Sequence, residues 1–302
     1  MQSCGYIVAG ARRPLPGPWI AGTWRRDPAT GLWSCVPVVG ASLLTNGDFS
    51  AWTGDNPDWW SVYAEDANNY TTQNPAGQCQ IVSNGTITGV YKIGLLTAYT
   101  WYLVDFDLKA VVAGSLSVAF SGDANRQYNT PADGLFFISR AGVSLNVYFR
   151  RYSGATNVTI DNLLIKPLTL SSLIAMRNYG TPNIASFGAP VVVPAGYQNG
   201  VIGWATPDYL NGIWAYHNRT NILLEKCVNG VYTTLINTAA AYADNRLPTI
   251  VRVNPTTYQV WYNGVQVEAN QTISDAGIIN NTWFSLFSTG GGTVGDPVVV
   301  YA

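Results

Sequence analysis

A chain of 302 residues carrying 16 Lys+Arg, 17 Asp+Glu and a single His has a formal net charge of −1, which excludes bulk attraction to nucleic acid as its driving interaction. Charged residues make up 11% and aromatics 13%, with 30 Gly, 11 Trp and 18 Tyr, so Asn, Thr, Ser, Tyr and Gly build a polar, uncharged surface that favours all-β sandwiches over helical folds. Apolar runs are short and broken, none approaching the length needed to cross a bilayer, and the chain suits two domains, each able to bury its own core.

Residues 1–40 read as an irregular N-terminal arm, punctuated by Pro14, Pro16, Gly17, Pro18, Gly22 and Gly31 and locally basic through Arg12, Arg13, Arg25 and Arg26 against Asp27. Two accounts of it stand. It docks on a partner, with Trp19, Trp24, Arg25, Arg26 and Trp33 as the interface anchors, or it wraps its own domain. The apolar stretch from Gly5 to Gly10 is brief and followed at once by arginines and prolines, so no secretory signal is expected. Cys4, Cys35, Cys79 and Cys227 show neither C-x-x-C spacing nor a dense framework, which points to mostly free thiols and leaves a Cys4–Cys35 bridge open.

Residues 41–168 read as the first sandwich. Alternating strands are predicted over 100–108, 115–120, 134–138, 143–150 and 158–165, separated by turn residues. Two phrases bracket the domain: Leu43-Leu44-Thr45-Asn46-Gly47-Asp48-Phe49 at its start, and Val158-Thr159-Ile160-Asp161-Asn162-Leu163-Leu164-Ile165 at its end. They resemble the boundaries of jelly-roll carbohydrate-binding modules of the CBM4/9/22 type and the wider galactose-binding-like group, and the resemblance implies binding rather than catalysis. It further implies a structural calcium held by Asp48 and Asp161. Ser50 stands where that family often has Glu, which removes one strong ligand.

Residues 169–302 form the second domain, also all-β. Strands are predicted over 201–205, 212–217, 221–227, 231–236, 249–253, 257–262 and 282–288. Asn229-Gly230 and Asn263-Gly264 are type I′ hairpin signals, since that turn needs positive φ at both central residues. The phrases Tyr258-Gln259-Val260-Trp261-Tyr262-Asn263-Gly264-Val265-Gln266-Val267 and Leu224-Glu225-Lys226-Cys227-Val228-Asn229-Gly230-Val231-Tyr232 are similar to hairpins of laminin-G and concanavalin-like sandwiches. With Phe284-Ser285-Leu286-Phe287-Ser288 they look like the laminin-G-type modules appended to phage tail and other virion proteins.

Concanavalin-like glycosidases carry paired carboxylates close together on one strand, but Glu65, Glu225 and Glu268 are the only glutamates and none lies in such a phrase. Asp105 and Asp107 share one strand face, for which a solvated face is the ordinary account. His217, the sole histidine, allows no zinc cluster, and no Gly-x-Ser-x-Gly elbow accompanies it. Gly290-Gly291-Gly292 lacks the lysine of a phosphate loop.

Sugar binding needs aromatic platforms flanked by polar groups. Trp59, Trp60 and Tyr63 form one candidate set beside Asp55, Asn56 and Asp58, and Trp214 and Tyr216 form a second. Neighbours on a strand face opposite sides, so one of Trp59 and Trp60 belongs to the core.

The expectation is therefore an arm followed by two β-sandwiches, in a non-enzymatic phage virion protein exposed on the particle surface. Its sandwiches would adhere to host or environmental glycans, its arm would contact other virion proteins, and the chain would be homo-oligomeric. The alternatives are a purely structural capsid decoration or tail connector and, further off, a secreted glycan-active enzyme.

Overall fold

The computed structural model describes residues 24–302 except Pro28, Gly31, Val36, Ala64 and residues 122–124; of Arg25 and Arg26 it describes the backbone alone. Among the described residues the chain is all-β apart from a 3-10 turn at Leu170–Leu173 and a helical turn at Ala276–Ile279. It divides into two compact units, Val39–Leu168 and a second containing Thr169–Ala302 with the described residues before Val39.

The Val39–Leu168 unit is a jelly-roll-like sandwich of two five-stranded antiparallel sheets. One runs in the order Arg126–Tyr128, Leu116–Phe120, Val147–Arg151, Gly89–Lys92, Ser61–Val62, and the other Ala132–Arg140, Trp101–Ala113, Thr156–Leu168, Cys79–Ser83, Tyr70–Gln73. The period-2 pattern of the sequence explains the layering. Tyr102, Val104, Phe106 and Leu108 turn into the core, as do Val147 and Phe149 from the facing sheet. Phe106 meets Phe149 edge-on at 5.6 Å and joins the two sheets. Burying each such large side chain contributes about 1.5–3 kcal/mol.

The two bracketing phrases meet. Leu163 N–H donates to the Gly47 carbonyl at 2.8 Å, and Leu43 N–H to the Ile165 carbonyl at 2.8 Å. Asn46, at φ 57°, orders the turn: its amide donates to the Ala51 and Asp58 carbonyls and its oxygen accepts from Ala51 N–H. The Asp161-Asn162 interruption is a bulge, with Asn162 at φ 50° and the ladder register shifting between Asp161 and Leu164. The bulge returns Leu163 and Ile165 to the core face.

In the second unit a six-stranded sheet (Ile174–Asn178, Trp283–Ser288, Asn199–Ala205, Gly212–His217, Asn221–Val228, Val231–Ala239) faces a five-stranded one (Val265–Thr272, Thr257–Tyr262, Pro248–Asn254, Ile184–Gly188, Val298–Tyr301). Both expected hairpin turns have positive φ at their two central residues: Asn229 51° and Gly230 80°, Asn263 53° and Gly264 79°. The core includes Trp204, Phe187, Phe284 and Tyr258.

The segment read as an arm contributes strands Trp24–Arg26 and Trp33–Cys35 to a four-stranded sheet with Thr293–Val294 and Val191–Val192. Trp24 (2% exposed) and Trp33 (9%) lie in this unit's own core, and the Trp33 indole N–H reaches Asp296 Oδ1 at 3.1 Å. Neither tryptophan is presented as a partner anchor, because the unit's own apolar interior absorbs both. Trp19 lies outside the described residues, as do the side chains of Arg25 and Arg26. Cys4 lies there too, while Cys35, Cys79 and Cys227 are all buried.

Strand positions depart from expectation in several places, with strands such as Cys79–Ser83, Gly89–Lys92 and Ile184–Gly188 not predicted. The strand expected from residue 143 begins at Val147, because Leu145 and Asn146 turn their carbonyls to Leu96 N–H and Ser121 N–H instead of a ladder. Ile174–Asn178 carries Ala, Met and Arg, weak strand formers, and becomes a strand by pairing along Trp283–Ser288.

A Cβ at Gly47 would run into the Leu163 carbonyl. Gly47→Ala is therefore expected to destabilise the Val39–Leu168 unit by about 1–3 kcal/mol, read as an earlier chemical-denaturation midpoint; an unchanged midpoint would show that this tie is dispensable.

Candidate functional site

Core packing of the sheet containing Val147–Arg151 determines what its other face carries. Phe149 pairs with Val90 and both point inward, so Tyr148, Arg150 and Tyr91 point outward. Two cross-strand rows result. The first runs Ala119, Tyr148, Tyr91, Ser61, and the second runs Ser117, Arg150, Gly89, extended to Tyr63 by its N–H bond to the Gly89 carbonyl at 3.1 Å.

Gly89 makes the second row work. It sits at φ 145°, and a Cβ there would strike the Phe149 carbonyl and the Arg150 backbone. With no side chain between them, Arg150 reaches across and its Nη1–H donates to Tyr63 Oη at 3.0 Å. The guanidinium lies 5.2 Å from the Tyr148 ring centre and 5.9 Å from that of Tyr63, within cation–π range.

The three rings form a half-exposed cluster: Tyr63–Tyr91 5.0 Å, Tyr91–Tyr148 5.8 Å and Tyr63–Tyr148 6.2 Å between centres. Tyr91 and Tyr148 are stacked at 28°. Burial pushes the Tyr63 phenol up despite the opposing hydrogen bond from Arg150, so it stays neutral through the physiological range. Asn146 Nδ2–H donates to Tyr148 Oη at 3.0 Å. The Asn146 oxygen accepts Gly94 N–H at 3.1 Å, which fixes the orientation of its amide.

Of the expected sugar-contacting residues, Tyr63 belongs to this cluster and Trp59 is 61% exposed, in the turn before Ser61 at φ 63°. Trp60 is the core member of its pair: it is 8% exposed, stacks on Phe49 at 5.6 Å and donates its indole N–H to the Asn46 carbonyl. Trp214 and Tyr216, at 1% and 3% exposure, are set edge-on against Phe287 and offer no open ring face. Tyr91, Tyr148 and Arg150 were missed. Their signal was alternation within Val147–Arg151 and Gly89–Lys92, but nothing local states that these strands are neighbours.

Asp48 and Asp161, the expected calcium ligands, belong with Asp105, Asp107 and Lys109 to a second polar group, centred on the outer face of the other sheet. Burial pushes the Asp161 carboxyl up, with Asp107 and Asp48 adding like-charge repulsion. Asp107 feels burial most, yet hydrogen bonds from Asn162, Lys109 and Gly134 N–H together hold it below its ordinary value. Lys109 Nζ lies 2.8 Å from Asp107 and 2.9 Å from Asp133. Asp48 Oδ1 accepts from Ser50 N–H and Oγ–H, and Asp161 Oδ1 from Asn162 N–H. Calcium takes about 6–8 oxygens, and among the described residues no group of three or more His, Cys, Asp or Glu is arranged to hold a metal. The Lys109 ammonium neutralises Asp107 and Asp133.

His217 is fully buried against Tyr262 and Tyr242. Arg219 N–H donates to Nδ1 at 2.8 Å, so Nε2 carries the proton and faces the Ala240 carbonyl at 3.2 Å. The ring is a satisfied, neutral core group, which burial holds below its ordinary pKa.

No protein-family model matches the chain, and no curated protein matches it. Among solved structures it is similar to the carbohydrate-binding module CBM66 from Bacillus subtilis, at 11% identity and a TM-score of 0.32, covering 43% of this chain and 80% of that one. The reading of the site rests on its own geometry.

Two outcomes follow. Because His217 is held neutral in the fold, the second unit's stability is full above the unfolded value of about 6.5 and falls as pH drops through it toward the depressed folded value, by at most about 1.4 kcal/mol per pH unit. His217→Gln should flatten that part of a melting-temperature profile; an identical slope would assign it to other groups. For the expected calcium at Asp48 and Asp161, a melting temperature higher in calcium than in chelator, with the gain lost in Asp161→Asn, would support the ion; the same temperature in both would remove it.

Proposed function

We propose that the Val39–Leu168 sandwich binds glycans on the face formed by Tyr63, Tyr91, Tyr148 and Arg150, and that the chain is a non-enzymatic adhesive protein. The observation that carries this reading is the cluster of three half-exposed tyrosine rings 5.0–6.2 Å apart. The apolar C–H face of a pyranose packs on such rings while the phenol oxygens and Arg150 meet its polar rim. A shallow platform of this size is expected to bind a single chain weakly, with Kd between about 1 μM and 1 mM, and repeated copies would add avidity.

The carboxylates support the absence of catalysis. Glu65 accepts from Thr71, Glu268 from Thr238, and Glu225 is buried and accepts from Thr234. Asp107 is paired with Lys109, and Lys166 lies close enough to Asp105 to act on its charge. These engagements leave the three glutamates and Asp107 poorly placed to act as the acid–nucleophile pair that glycoside hydrolysis requires. Display on a phage particle, contact with other virion proteins and self-association belong to the same proposal, and their support is the low charge of the chain and the laminin-G-like phrases of its second half.

Tyr148→Ala should weaken binding to a glycan identified on an array by roughly 3- to 10-fold, the worth of one aromatic contact, without lowering the melting temperature much. Retained affinity in Tyr148→Ala and Tyr91→Ala alike would remove the platform from the account.

A further inference from the structure

The polar groups on this face are unbalanced in sign and in hydrogen-bonding sense. Arg150 has no carboxylate partner among the described residues. Its contacts are Tyr63 Oη, Asn125 Oδ1 at 3.5 Å and the two rings, all neutral. A guanidinium has five N–H donors, and two such contacts leave most of its planar fork unused.

The neighbouring groups are donors as well. Tyr63 Oη accepts from Arg150, and Tyr148 Oη accepts from Asn146, so each phenol keeps its own proton for an outside acceptor. Ser117 lies directly across the ladder from Arg150. At 1% exposure it is covered and does not itself meet a ligand. Neutral sugar hydroxyls need acceptors as much as donors. A planar anion needs donors alone, and a guanidinium fork matches it in shape.

Resting on the reading of this face as a glycan site, we propose that its ligand is an acidic glycan, whose sugar carboxylate sits on Arg150 while the ring stacks on Tyr91 and Tyr148. The tyrosines supply the affinity common to all sugars. Arg150, supported by the Tyr63 hydroxyl, supplies the preference for the charged one.

The test compares the full chain on polygalacturonate and on its fully methyl-esterified form, which shares the backbone but lacks the charge, with dextran sulfate as a non-carboxylate polyanion. Wild-type protein should prefer polygalacturonate over the ester by about tenfold, the size of one charge-assisted interaction. That preference should shrink with added salt. Arg150→Gln should bind both forms equally and weakly, and Arg150→Lys should keep part of the preference; melting curves confirm that both variants fold. Equal wild-type affinity for acid and ester would overturn the acidic-ligand proposal while leaving the glycan reading intact. Binding to neither, in a screen that includes other acidic and neutral polysaccharides, would remove the glycan reading and this proposal with it. Binding to dextran sulfate as tight as to polygalacturonate, unchanged in Arg150→Gln, would overturn it as non-specific attraction.

Discussion

The ladder that pairs Phe149 with Val90 and Tyr148 with Tyr91 is the constraint from which the candidate site follows. Phe149 and Val90 are fully buried, and a slip of one residue would place both in water and drive Tyr148, Tyr91 and Arg150 into the core. The slipped register is heavily penalised, at about 1.5–3 kcal/mol for each large apolar side chain exposed, before any cost of burying an arginine. The outward face is thus held in register by the inward one. The tyrosine cluster is a consequence of core packing, and it needs no separate device to hold its rings together.

Gly89 adds a second constraint. At the position between Arg150 and Tyr63 any side chain would meet the Phe149 carbonyl, and it would also block the reach of the guanidinium. One missing Cβ therefore serves strand spacing and site geometry together. It leaves Arg150 lying flat among aromatic rings with neutral partners, where a carboxylate partner would have quenched its charge. The other sheet of the same sandwich shows that quenched case: Asp107 and Asp133 hold Lys109 in close ion pairs. The two outer faces share one core and one strand period, yet Arg150 lies among neutral partners where Lys109 is held by carboxylates.

The second sandwich uses its aromatics differently. Trp204, Tyr258 and Phe284 pack edge-on at about 5 Å in its interior, and Trp24 and Trp33 join the same core from a segment far away in the chain. Its only histidine has both ring nitrogens facing backbone groups. The tryptophan-rich N-terminal sequence left docking on a partner and wrapping its own domain both open, because nothing near it in sequence could bury those rings. Strands Thr293–Val294 and Val191–Val192 provide the burial.

Much of this protein was legible locally. Short runs of aromatic and β-branched residues between turn signals identified Gly212–His217 and Thr257–Tyr262 to the residue, because such side chains favour the pleated backbone whatever its partners are. Asn-Gly pairs announced two hairpins, because positive φ is a property of the residue itself. Alternation along a strand marked one of Trp59 and Trp60 as core but could not say which, and it placed Trp214 and Tyr216 on a face without saying whether that face is open. Burial and neighbourhood are non-local quantities. Tyr63, Tyr91 and Tyr148 come together only when strands widely separated in the chain pair in one register, and Arg150 becomes a site residue only because Gly89 lies beside it. Strand period and turn chemistry are written residue by residue, whereas which aromatics are hidden and which meet at the surface depends on the order in which the strands assemble.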